Sequence, residues 1–545
     1  MSRIFVNQVG FFPDSPKKAV IDFPCEEFDI RCVDGKCVYT GNVQHFGTDE
    51  ISGEDTYVAD FSDFTEAGDY RILAGDAESC VFSIGENIYD RLMKDICKCF
   101  YYLRCGDALS KEYAGDYYHE PCHMSLATVY GTDEKKDVTG GWHDAGDYGR
   151  YSTAGSVAAA HLLYAVRFFG GLSDAEFDIP KVSAGGGDLP DILAEVKVEL
   201  DFLMKMQRDD GGVYHKVTTF CHAPFVMPEE DKEELFLFAV SSMATADVAA
   251  VMALASTVYG DYDKDYAGKL MESSLRAYDW LKNNPEPLLF YNVEGSNTGE
   301  YDEAEDFSNR FWAAASLYEA TGEDKYREDA LLQKEKVLEF DRNADKKGYQ
   351  GDVLTCLGWA EVAGLGALSI LLKNDGDDLY DQVKESFVRE ADRLVGNAKE
   401  NGFDLCMKKE DFIWGSNMEL LKYMMILTVA SRVKGADDSY RKAVQSGLDY
   451  LLGCNSMDTS YVTGNGEKAY RNPHLRPTAA GNVSEPWPGL VSGGPNRGLQ
   501  DELASTLPHD LAPMKCYIDN VQCYSLNEIT IYWNSPLVFV LASML

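Results

Sequence analysis

The chain has 545 residues, 45% of them hydrophobic and 12% aromatic, which is enough for two or more folded domains. Its formal net charge of −40 argues against nucleic acid or an acidic membrane surface as the default partner. Because the acidic residues are spread along the chain, they indicate a solvated surface, and the compatible partner is a neutral polymer or a cation.

The sequence also bears on where the protein works. No apolar run approaches the about 18 residues that a membrane span needs. The chain enters a strand pattern at once and shows no leader peptide, and its 14 scattered cysteines are typical of reduced thiols. We therefore expect a cytoplasmic protein with no membrane and no obligate protein partner; a secreted protein whose leader had been removed would show the same pattern.

Residues 1–86 predict an all-β domain. Short alternating apolar runs recur at 18–21, 57–61, 70–73 and 81–84. Turn signals such as Asp34-Gly35 separate them, because these residues accept the positive φ angles of a tight hairpin. Several short strands in a domain of this size are typical of an immunoglobulin-like sandwich. No catalytic constellation lies in it, so we interpret it as a support module.

Residues 87–545 predict an all-α domain. Apolar residues between positions 189 and 204 recur at steps of three and four, as on one face of a helix. Further on, a unit recurs in which a helix ends at a glycine in left-handed conformation, acidic residues follow, and a tyrosine begins the next helix. The glycines are Gly260, Gly322, Gly376 and Gly435, and the tyrosines, spaced by 60, 54 and 60 residues, are Tyr266, Tyr326, Tyr380 and Tyr440. This period fits a helical hairpin, and about six hairpins fit the domain. Stacked hairpins form an open solenoid or a closed toroid, and catalytic residues on distant loops favour closure.

Residues 140–151 contain the first group of candidate catalytic residues. Asp144 and Asp147 stand three residues apart among glycines, a histidine and aromatic residues. Aromatic rings beside paired carboxylates suit a cleft where sugar faces stack and a carboxylate activates water. The alternative is structural, with Asp144 as the cap of a helix and Asp147 in its first turn. The residues alone leave both interpretations open.

Glu528 is the second chemical feature. It precedes an apolar segment, 536–541, which predicts a buried terminal helix. A carboxyl in a partly apolar, aromatic setting is expected to have a raised pKa, as a general acid working near neutral pH requires. The alternative is again structural, with Glu528 as a cap partner at the start of the helix.

Three motifs, taken together, resemble glycoside hydrolase family 9, a cellulase family with an (α/α)6 toroid. They are Gly-Gly-Trp-His-Asp-Ala-Gly-Asp-Tyr at 140–148, Asn527-Glu528 with Asn534, and a third set that comprises Asn455, 460–464 and 472–477. The resemblance covers the whole chain, and the β domain is similar to one that precedes the catalytic domain in one branch of the family. It implies an immunoglobulin-like β-sandwich at 1–86 followed by an all-α (α/α)6 toroid at 87–545.

The resemblance implies a role for each carboxyl. Asp147 is expected to be the general base that takes a proton from the attacking water, and Asp144 to hold that water. Glu528 is expected to protonate the leaving glycosidic oxygen. This is an inverting arrangement, in which acid and base carboxyls stand roughly 6.5–9.5 Å apart to admit the water.

Sugar-binding residues are implied as well. His474 and Arg476 fit a role in binding sugar hydroxyls, because both can donate hydrogen bonds. The family usually has two consecutive histidines here, and Leu475 replaces the second, which leaves the subsite preference open. Candidates for the lining and stacking surfaces of the subsites are Tyr524, Trp533, Trp359 and Trp414. Each tryptophan could equally be a core residue, since these side chains are usually mostly buried.

Two metal sites are considered. Two thiols and two imidazoles make a closed tetrahedral set, which is a structural zinc pattern and matches zinc positions in this branch of the family: Cys105, Cys122, His123 and His143. Four ligands leave no open position, so a zinc hydrolase is rejected. A second set supplies hard oxygens and resembles a calcium loop: Thr298, Gly299, Asp302, Glu303 and Asp352. A solvated acidic loop is the alternative to calcium there.

The sequence thus predicts an inverting β-1,4-glucan hydrolase, an endoglucanase or a cellodextrinase. The alternatives are an exo-acting glucosaminidase on chitosan oligomers and a catalytically silent sugar-binding protein, and retention of all three carboxyls argues against the silent protein. With no cellulose-binding module visible, soluble oligosaccharides are favoured over crystalline cellulose. Endo and exo action are both left open, because loop lengths around the cleft decide between them.

Overall fold

The computed structural model describes residues 3–184, 187–343, 351–435 and 437–545. It forms two compact units that are discontinuous in sequence. The first unit contains Met1–Cys99, Ala391–Ala479 and Ser484–Ile529, and the second contains Phe100–Glu390, Ala480–Val483 and Thr530–Leu545. The domain boundary that we place after residue 86 divides the chain by sequence, and it stays a prediction.

The first unit begins with the β domain. Its strands are Ile4–Phe5, Gly10–Phe11, Lys18–Ile21, Glu27–Cys32, Cys37–Thr48, Asp55–Asp60, Gly68–Ala74, Ala77–Glu78 and Phe82–Ile84. The long strand Cys37–Thr48 pairs with Glu27–Cys32 through its first half and with Asp55–Asp60 through its second half. It therefore joins the two halves of the sheet. A core rich in aromatic residues fills the domain, including Phe11, Phe28, Phe61, Tyr70 and Phe82. The predicted all-β domain is confirmed.

Helices complete the first unit. The helices are Asp90–Tyr102, Ser416–Lys434, Asp438–Leu451, Arg476–Ala480 and Tyr524–Asn527. The first and the fourth of them extend beyond the limits of the unit. Short 3-10 turns lie at Lys409–Asp411, Ala504–Thr506 and Pro513–Lys515. A buried polar network ties the β domain to helix Asp438–Leu451. Asp449 Oδ1 accepts from Asn7 Nδ2 at 2.9 Å and from Gln445 Nε2 at 2.8 Å. Tyr89 Oη accepts from the same two amides.

The second unit is built from two kinds of helix. One kind is buried along nearly its whole length: Ser152–Phe168, Ser242–Tyr259, Phe307–Thr321, Ala363–Lys373 and Ile531–Ala542. The other kind has one buried and one solvated face: Asp191–Met206, Lys264–Asn283, Asp324–Asn343 and the first part of Asp378–Ala398. Each of the first three outer helices packs on a buried helix next to it in sequence, as the predicted hairpins require. The apolar helix Ser242–Tyr259 has the length and hydropathy of a membrane span, but 89% of it is buried inside the protein.

Short strands connect the helices of the second unit. They are Ala127–Val129, Lys135–Lys136, Arg150–Tyr151, Ser183–Ala184, Gly187–Asp188, Val213–Tyr214, Lys216–Thr218, Phe236–Leu237 and Val240–Ser241. One turn of α-helix at Lys111–Ala114 and 3-10 turns at Gly115–Tyr117, Gly170–Asp174 and Val353–Thr355 complete the unit. Strand Arg150–Tyr151 pairs antiparallel with Lys216–Thr218, and this places Tyr151 opposite Lys216.

The predicted helix-ending glycines need a correction. Gly322 closes helix Phe307–Thr321 with φ of 70°, the left-handed conformation that was expected. Helix Ala363–Lys373 instead ends at Asn374, with φ of 54°, two residues before Gly376. Asparagine tolerates this conformation because its short side chain is polar and unbranched at Cβ. Gly260 continues in right-handed helical conformation after its helix, with φ of −55°.

The buried Asp449 predicts a pH-dependent stability. Burial raises its pKa to about 7, against the hydrogen bonds from Asn7 and Gln445. The folded chain therefore keeps this proton to a higher pH than the unfolded chain does. The free energy of unfolding should fall as pH rises from about 4 to about 7, by about 1 kcal/mol per pH unit from this group. Because Asp449→Asn has no such proton, its melting temperature relative to wild type should increase across that range.

The control is Asp438→Asn, which changes an exposed residue at the start of the same helix. Its melting temperature should differ from that of wild type by the same amount at every pH in the range. A difference between Asp449→Asn and wild type that stays constant with pH would contradict the prediction.

Candidate active site

Two glycines shape the start of the loop at 140–149. Gly140 and Gly141 have φ of 106° and 77°, which side chains rarely adopt. A Cβ on Gly141 would also lie 2.7 Å from the ring of Phe202 and 2.9 Å from a carboxylate oxygen of Glu199. Glycine is therefore required at position 141 on both conformational and steric grounds.

Helix Asp191–Met206 holds this loop through two glutamates one turn apart. Trp142 donates from its backbone N to Glu199 Oε2 at 2.7 Å and from Nε1 to Glu195 Oε1 at 2.9 Å. Glu195 also receives a bidentate contact from Arg104, at 3.1 Å and 2.7 Å. Burial raises the pKa of Glu199 to about 8, against the bond from Trp142. These two glutamates were missed in the sequence, although their i, i+4 spacing in an apolar segment is a visible signal.

Asp144 is buried, and its backbone is fixed on both sides. Its N–H donates to Gly149 O at 3.0 Å, and its carbonyl accepts from Ile531 N at 2.8 Å. Its carboxylate accepts a short hydrogen bond from Tyr301 Oη. The helix that follows begins at Ser152, with Tyr151 as its N-cap residue, so the alternative of Asp144 as a helix cap is wrong.

Asp147 Oδ2 accepts two hydrogen bonds and lies near an imidazole nitrogen. Gly149 N donates to it at 3.1 Å and Tyr151 Oη at 3.2 Å, and His222 Nδ1 lies 3.4 Å away. The residue is 8% exposed, so the carboxyl group is nearly enclosed by protein. Gathering the donors on one oxygen fixes the rotation of the carboxyl group. Neither Tyr151 nor His222 was predicted as a site residue.

Tyr301 links several aromatic residues around Asp144. It has φ of 49°, which is uncommon for a residue with a side chain. Its ring packs edge-on against Trp359, with centroids 4.8 Å apart, and its hydroxyl lies 3.2 Å from Tyr532 Oη. Burial raises the pKa of Tyr301 and Tyr151 well above the usual value, so both stay protonated hydrogen-bond donors. Trp359 is half-buried and Trp533 is buried, so their part in sugar stacking stays a prediction.

In the first unit, Glu528 lies among three of the predicted sugar-binding residues. Trp414 Nε1 donates to Glu528 Oε2 at 3.2 Å. The rings of Trp414 and Tyr524 lie 5.4 Å apart, and that of His474 lies 5.8 Å from Tyr524. Both Trp414 and Tyr524 are exposed, at 39% and 38%, so they offer aromatic surface to a ligand.

The backbone around Glu528 is held firmly. His474 N donates to Asn527 O at 2.8 Å, and Gly493 N donates to Glu528 O at 2.9 Å. Glu528 follows the short helix Tyr524–Asn527, and the terminal helix begins three residues later at Ile531 with Thr530 as its N-cap. The alternative of Glu528 in the first turn of that helix is therefore wrong. Arg476 is buried at the start of helix Arg476–Ala480.

The four predicted zinc ligands lie together in the second unit and could hold a metal ion. One donor atom from each of Cys105, Cys122, His123 and His143 lies within 4.8 Å of the others, and all four side chains are buried. His123 Nε2 lies 3.3 Å from Asp231 Oδ2, so the carboxylate orients the ring with Nδ1 facing the other donors. Two thiols and two imidazoles in a dry pocket fit a tetrahedral ion with no open position.

Four of the five predicted calcium ligands have other partners, and the fifth, Asp302, is exposed. Thr298 Oγ1 and Gly299 O accept from Lys216 Nζ, at 3.0 Å and 2.7 Å. The carboxylate of Asp352 pairs with Arg389. Glu303 Oε1 shares the Asn309 amide with Asp247, and within the described ranges the acidic residues of the calcium set do not form a ligand group. Calcium therefore does not fit Thr298 and Gly299 as they stand.

Tyrosine hydroxyls donate to two carboxylates that lie beside aromatic rings, and a β domain precedes the helical part of the sequence. These features are those of a carbohydrate-cleaving hydrolase. Two family models match: glycosyl hydrolase family 9 over residues 89–541, and the cellulase N-terminal ig-like domain over residues 1–79. The chain belongs to glycosyl hydrolase family 9. Its fold class, an immunoglobulin-like β domain followed by an (α/α)6 helical domain, is confirmed.

Individual proteins agree with this assignment. The chain is 68% identical, over 100% of both sequences, to a protein named cellodextrinase from Butyrivibrio fibrisolvens. A thermostable endoglucanase from Alicyclobacillus acidocaldarius has a TM-score of 0.91 and 35% identity, with 99% of both chains covered. A Zn-binding triple mutant of the family 9 endoglucanase J30 has a TM-score of 0.90 and 32% identity, with 98% of this chain and 99% of that chain covered.

The Glu195–Arg104 pair predicts a large effect on stability. Both side chains are buried, with 2% and 8% exposure. Glu195→Gln removes the negative charge and leaves the guanidinium without its bidentate partner, which should lower the free energy of unfolding by about 3–5 kcal/mol. Chemical denaturation monitored by tryptophan fluorescence measures the change.

Glu234→Gln is the matched control, because Glu234 pairs with Lys135 on the surface, where both side chains are more than half exposed. It should change stability by no more than about 0.5 kcal/mol. Equal effects of the two substitutions would show that the buried pair does not hold the loop.

Proposed function

We propose that this chain hydrolyses β-1,4-glucosidic bonds with inversion of configuration and acts on soluble cello-oligosaccharides. The observation that carries the proposal is the 68% identity to a cellodextrinase over the full length of both chains. The surroundings of Asp144, Asp147 and Glu528 add support, since each carboxyl has partners that suit a distinct role.

Asp147 is the general base in this proposal. It takes a proton from a water that attacks the anomeric carbon from the face opposite the leaving oxygen. Tyr151 and Gly149 donate to Oδ2 and so keep the carboxyl group in one orientation.

Asp144 assists by holding the same water. The hydrogen bond from Tyr301 and the fixed backbone restrict it to one rotamer. A group that is already positioned loses little entropy when the substrate binds. Asp144 and Asp147 therefore form a binding site for the nucleophilic water that is already ordered before the substrate binds.

Glu528 is the general acid that protonates the leaving glycosidic oxygen. The indole N–H of Trp414 donates to its Oε2, which fixes the carboxyl group and directs the proton to the other oxygen. The exposed rings of Trp414 and Tyr524 stack on apolar sugar faces, and His474 and Arg476 bind hydroxyl groups. The new anomeric hydroxyl forms on the face opposite the broken bond, so the first product is the α-anomer.

The test is a product analysis on cellohexaose beside a chitosan hexamer, with anomers followed by NMR. We expect cleavage of cellohexaose with initial α-product and at least about 10²-fold slower cleavage of the amino sugar. Asp147→Asn and Glu528→Gln should each lower kcat by about 10² or more, the scale for removing a positioned acid or base. Both variants should keep the melting temperature of wild type.

Two exposed carboxyls give matched controls, Asp133→Asn and Glu502→Gln, and both should keep the kcat of wild type. Initial β-product would contradict inversion. Preferred cleavage of the chitosan hexamer would show that the substrate is a glucosamine oligomer rather than a cello-oligosaccharide. Full activity in Asp147→Asn would show that Asp147 is not the general base.

For the metal, we propose zinc held by Cys105, Cys122, His123 and His143. Such an ion would supply folding free energy and no catalytic chemistry, because the closed set offers no position for water. The support is the burial and convergence of the four donors and the orienting contact from Asp231. Calcium at the 298–352 set is not carried forward, since Lys216 and Arg389 contact its oxygens.

Elemental analysis of the purified protein should find one zinc per chain. Removal of zinc, or Cys122→Ser, should lower the melting temperature by several degrees, with activity lost as the loop unfolds. Cobalt should restore both without moving the pH–rate profile. Cys37→Ser changes an exposed cysteine of the β domain and should alter neither property. Protein that is fully active and stable without zinc would overturn the assignment.

A further inference from the structure

A buried ammonium group occupies the loop where calcium was expected. Lys216 Nζ lies 2.6 Å from Asn292 Oδ1, 3.0 Å from Thr298 Oγ1 and 2.7 Å from Gly299 O. The residue has 0% exposure. An ammonium group has three N–H donors, and three oxygens at hydrogen-bond distance satisfy all of them. The ammonium therefore uses the oxygens that a metal ion at Thr298 and Gly299 would need.

Aromatic faces complete the surroundings of this cation. Lys216 Nζ lies 4.8 Å from the ring centre of Phe238, 5.4 Å from that of Phe290 and 5.7 Å from that of Tyr151. A desolvated ammonium over aromatic rings gains cation–π stabilisation. The cage is thus built for a monovalent organic cation with three donors rather than for a hard divalent ion, which takes six or more oxygens.

The loop that Lys216 holds reaches both aspartates. Gly299 N donates to Tyr151 Oη at 3.0 Å, and Tyr151 Oη donates in turn to Asp147 Oδ2 at 3.2 Å. Tyr301, two residues further along the same loop, donates to Asp144. The two tyrosines also pack together, with ring centroids 4.7 Å apart. A displacement of residues 298–301 would therefore move the donors to both carboxylates.

The backbone of the loop is in a conformation that needs support. Tyr301 has the positive φ described above, which is unfavourable for a residue with a side chain. Glu300 O, the preceding carbonyl, accepts from His215 Nε2 at 2.9 Å. His215 and Lys216 are consecutive in sequence, so one short segment clamps three consecutive residues of the loop.

We propose that Lys216 is a positioning residue for catalysis. Its buried ammonium takes the place of a metal ion, holding residues 298–301 so that Tyr151 and Tyr301 orient Asp147 and Asp144. The inference rests on the proposed function, because it assumes that these two aspartates activate the water. Lys216 itself contacts neither the substrate nor the attacking water in this scheme.

The first experiment compares Lys216→Met with Lys334→Met. Lys334 is also a buried lysine, but its ammonium contacts Gln382 and Glu335 on the outer helices. On cellotetraose, Lys216→Met should lower kcat by about 10- to 100-fold, the scale for misplaced catalytic groups, with KM changed less than about threefold. Lys334→Met should keep the kcat of wild type at temperatures where it is folded. Wild-type kcat in folded Lys216→Met would overturn the proposal.

A double-mutant cycle tests the route through Tyr151. Tyr151→Phe removes the hydroxyl that joins Gly299 to Asp147. If Lys216 acts through this hydroxyl, Tyr151→Phe should lower kcat much less in the Lys216→Met background than in wild type. Losses that simply multiply would show that Lys216 does not act through the Tyr151 hydroxyl, and this would overturn the proposed route from Lys216 to Asp147.

A rescue experiment identifies the kind of cation that the cage accepts. Lys216→Ala leaves room for a small alkylammonium ion, so n-propylammonium should restore kcat at least severalfold, whereas calcium chloride should not. Rescue by calcium alone would overturn the proposal that the cage suits an ammonium. If the Lys216 variants do not fold, Thr298→Val, which removes one oxygen from the cage, should still lower kcat severalfold, and an unchanged kcat would count against the proposal.

Asp147→Asn, assayed in parallel, separates the two levels of failure. If Asp147→Asn is inactive and Lys216→Met is as active as wild type, the positioning role fails and the proposed function stands. If Asp147→Asn keeps full activity, the base assignment fails, and the positioning role fails with it.

Discussion

The hydrogen bonds from Trp142 to two buried glutamates are the interaction on which the position of the loop at 140–149 depends. Glu195 and Glu199 accept from the two N–H groups of Trp142, and Glu195 is neutralised by Arg104. A buried carboxylate is costly unless it is paired and hydrogen-bonded, so the arrangement is stable in one geometry only. That geometry sets the position of the loop at 140–149 relative to helix Asp191–Met206.

The loop at 140–149 contributes neighbouring residues to both the predicted metal site and the carboxylate pair. His143 belongs to the metal-ligand set and the next residue, Asp144, belongs to the carboxylate pair. His143 N donates to Leu103 O at 2.7 Å and Cys105 N donates to Gly141 O at 2.8 Å, so a two-stranded contact aligns the ligands from both segments. A change in the proposed metal set would therefore reach the carboxylates through one peptide bond.

Much of this organisation could be predicted because it is local. The β domain follows from period-two alternation, and the buried and amphipathic helices follow from composition and spacing. The Cys and His residues were predicted as a set from their chemistry together with the family resemblance. Tyr301 and Lys216 could not be predicted in the same way: Tyr301 meets Asp144 across 157 residues of sequence, and neither residue lies in a recognisable motif. The helix end at Asn374 was missed because Gly376 is the stronger signal for a left-handed residue.

The network of Asn7, Tyr89, Gln445 and Asp449 has a consequence for synthesis on the ribosome. Arg3 also donates to Ser456 O at 2.9 Å, so the first strand of the β domain contacts residues made some 450 positions later. At a translation rate of about 5–20 residues per second, the gap lasts about 20–90 s. Throughout that interval the contacts of Asn7 with Asp449 and of Arg3 with Ser456 cannot form, so these groups must stay solvated or be shielded by a chaperone. A domain that is made first is, in this protein, completed last.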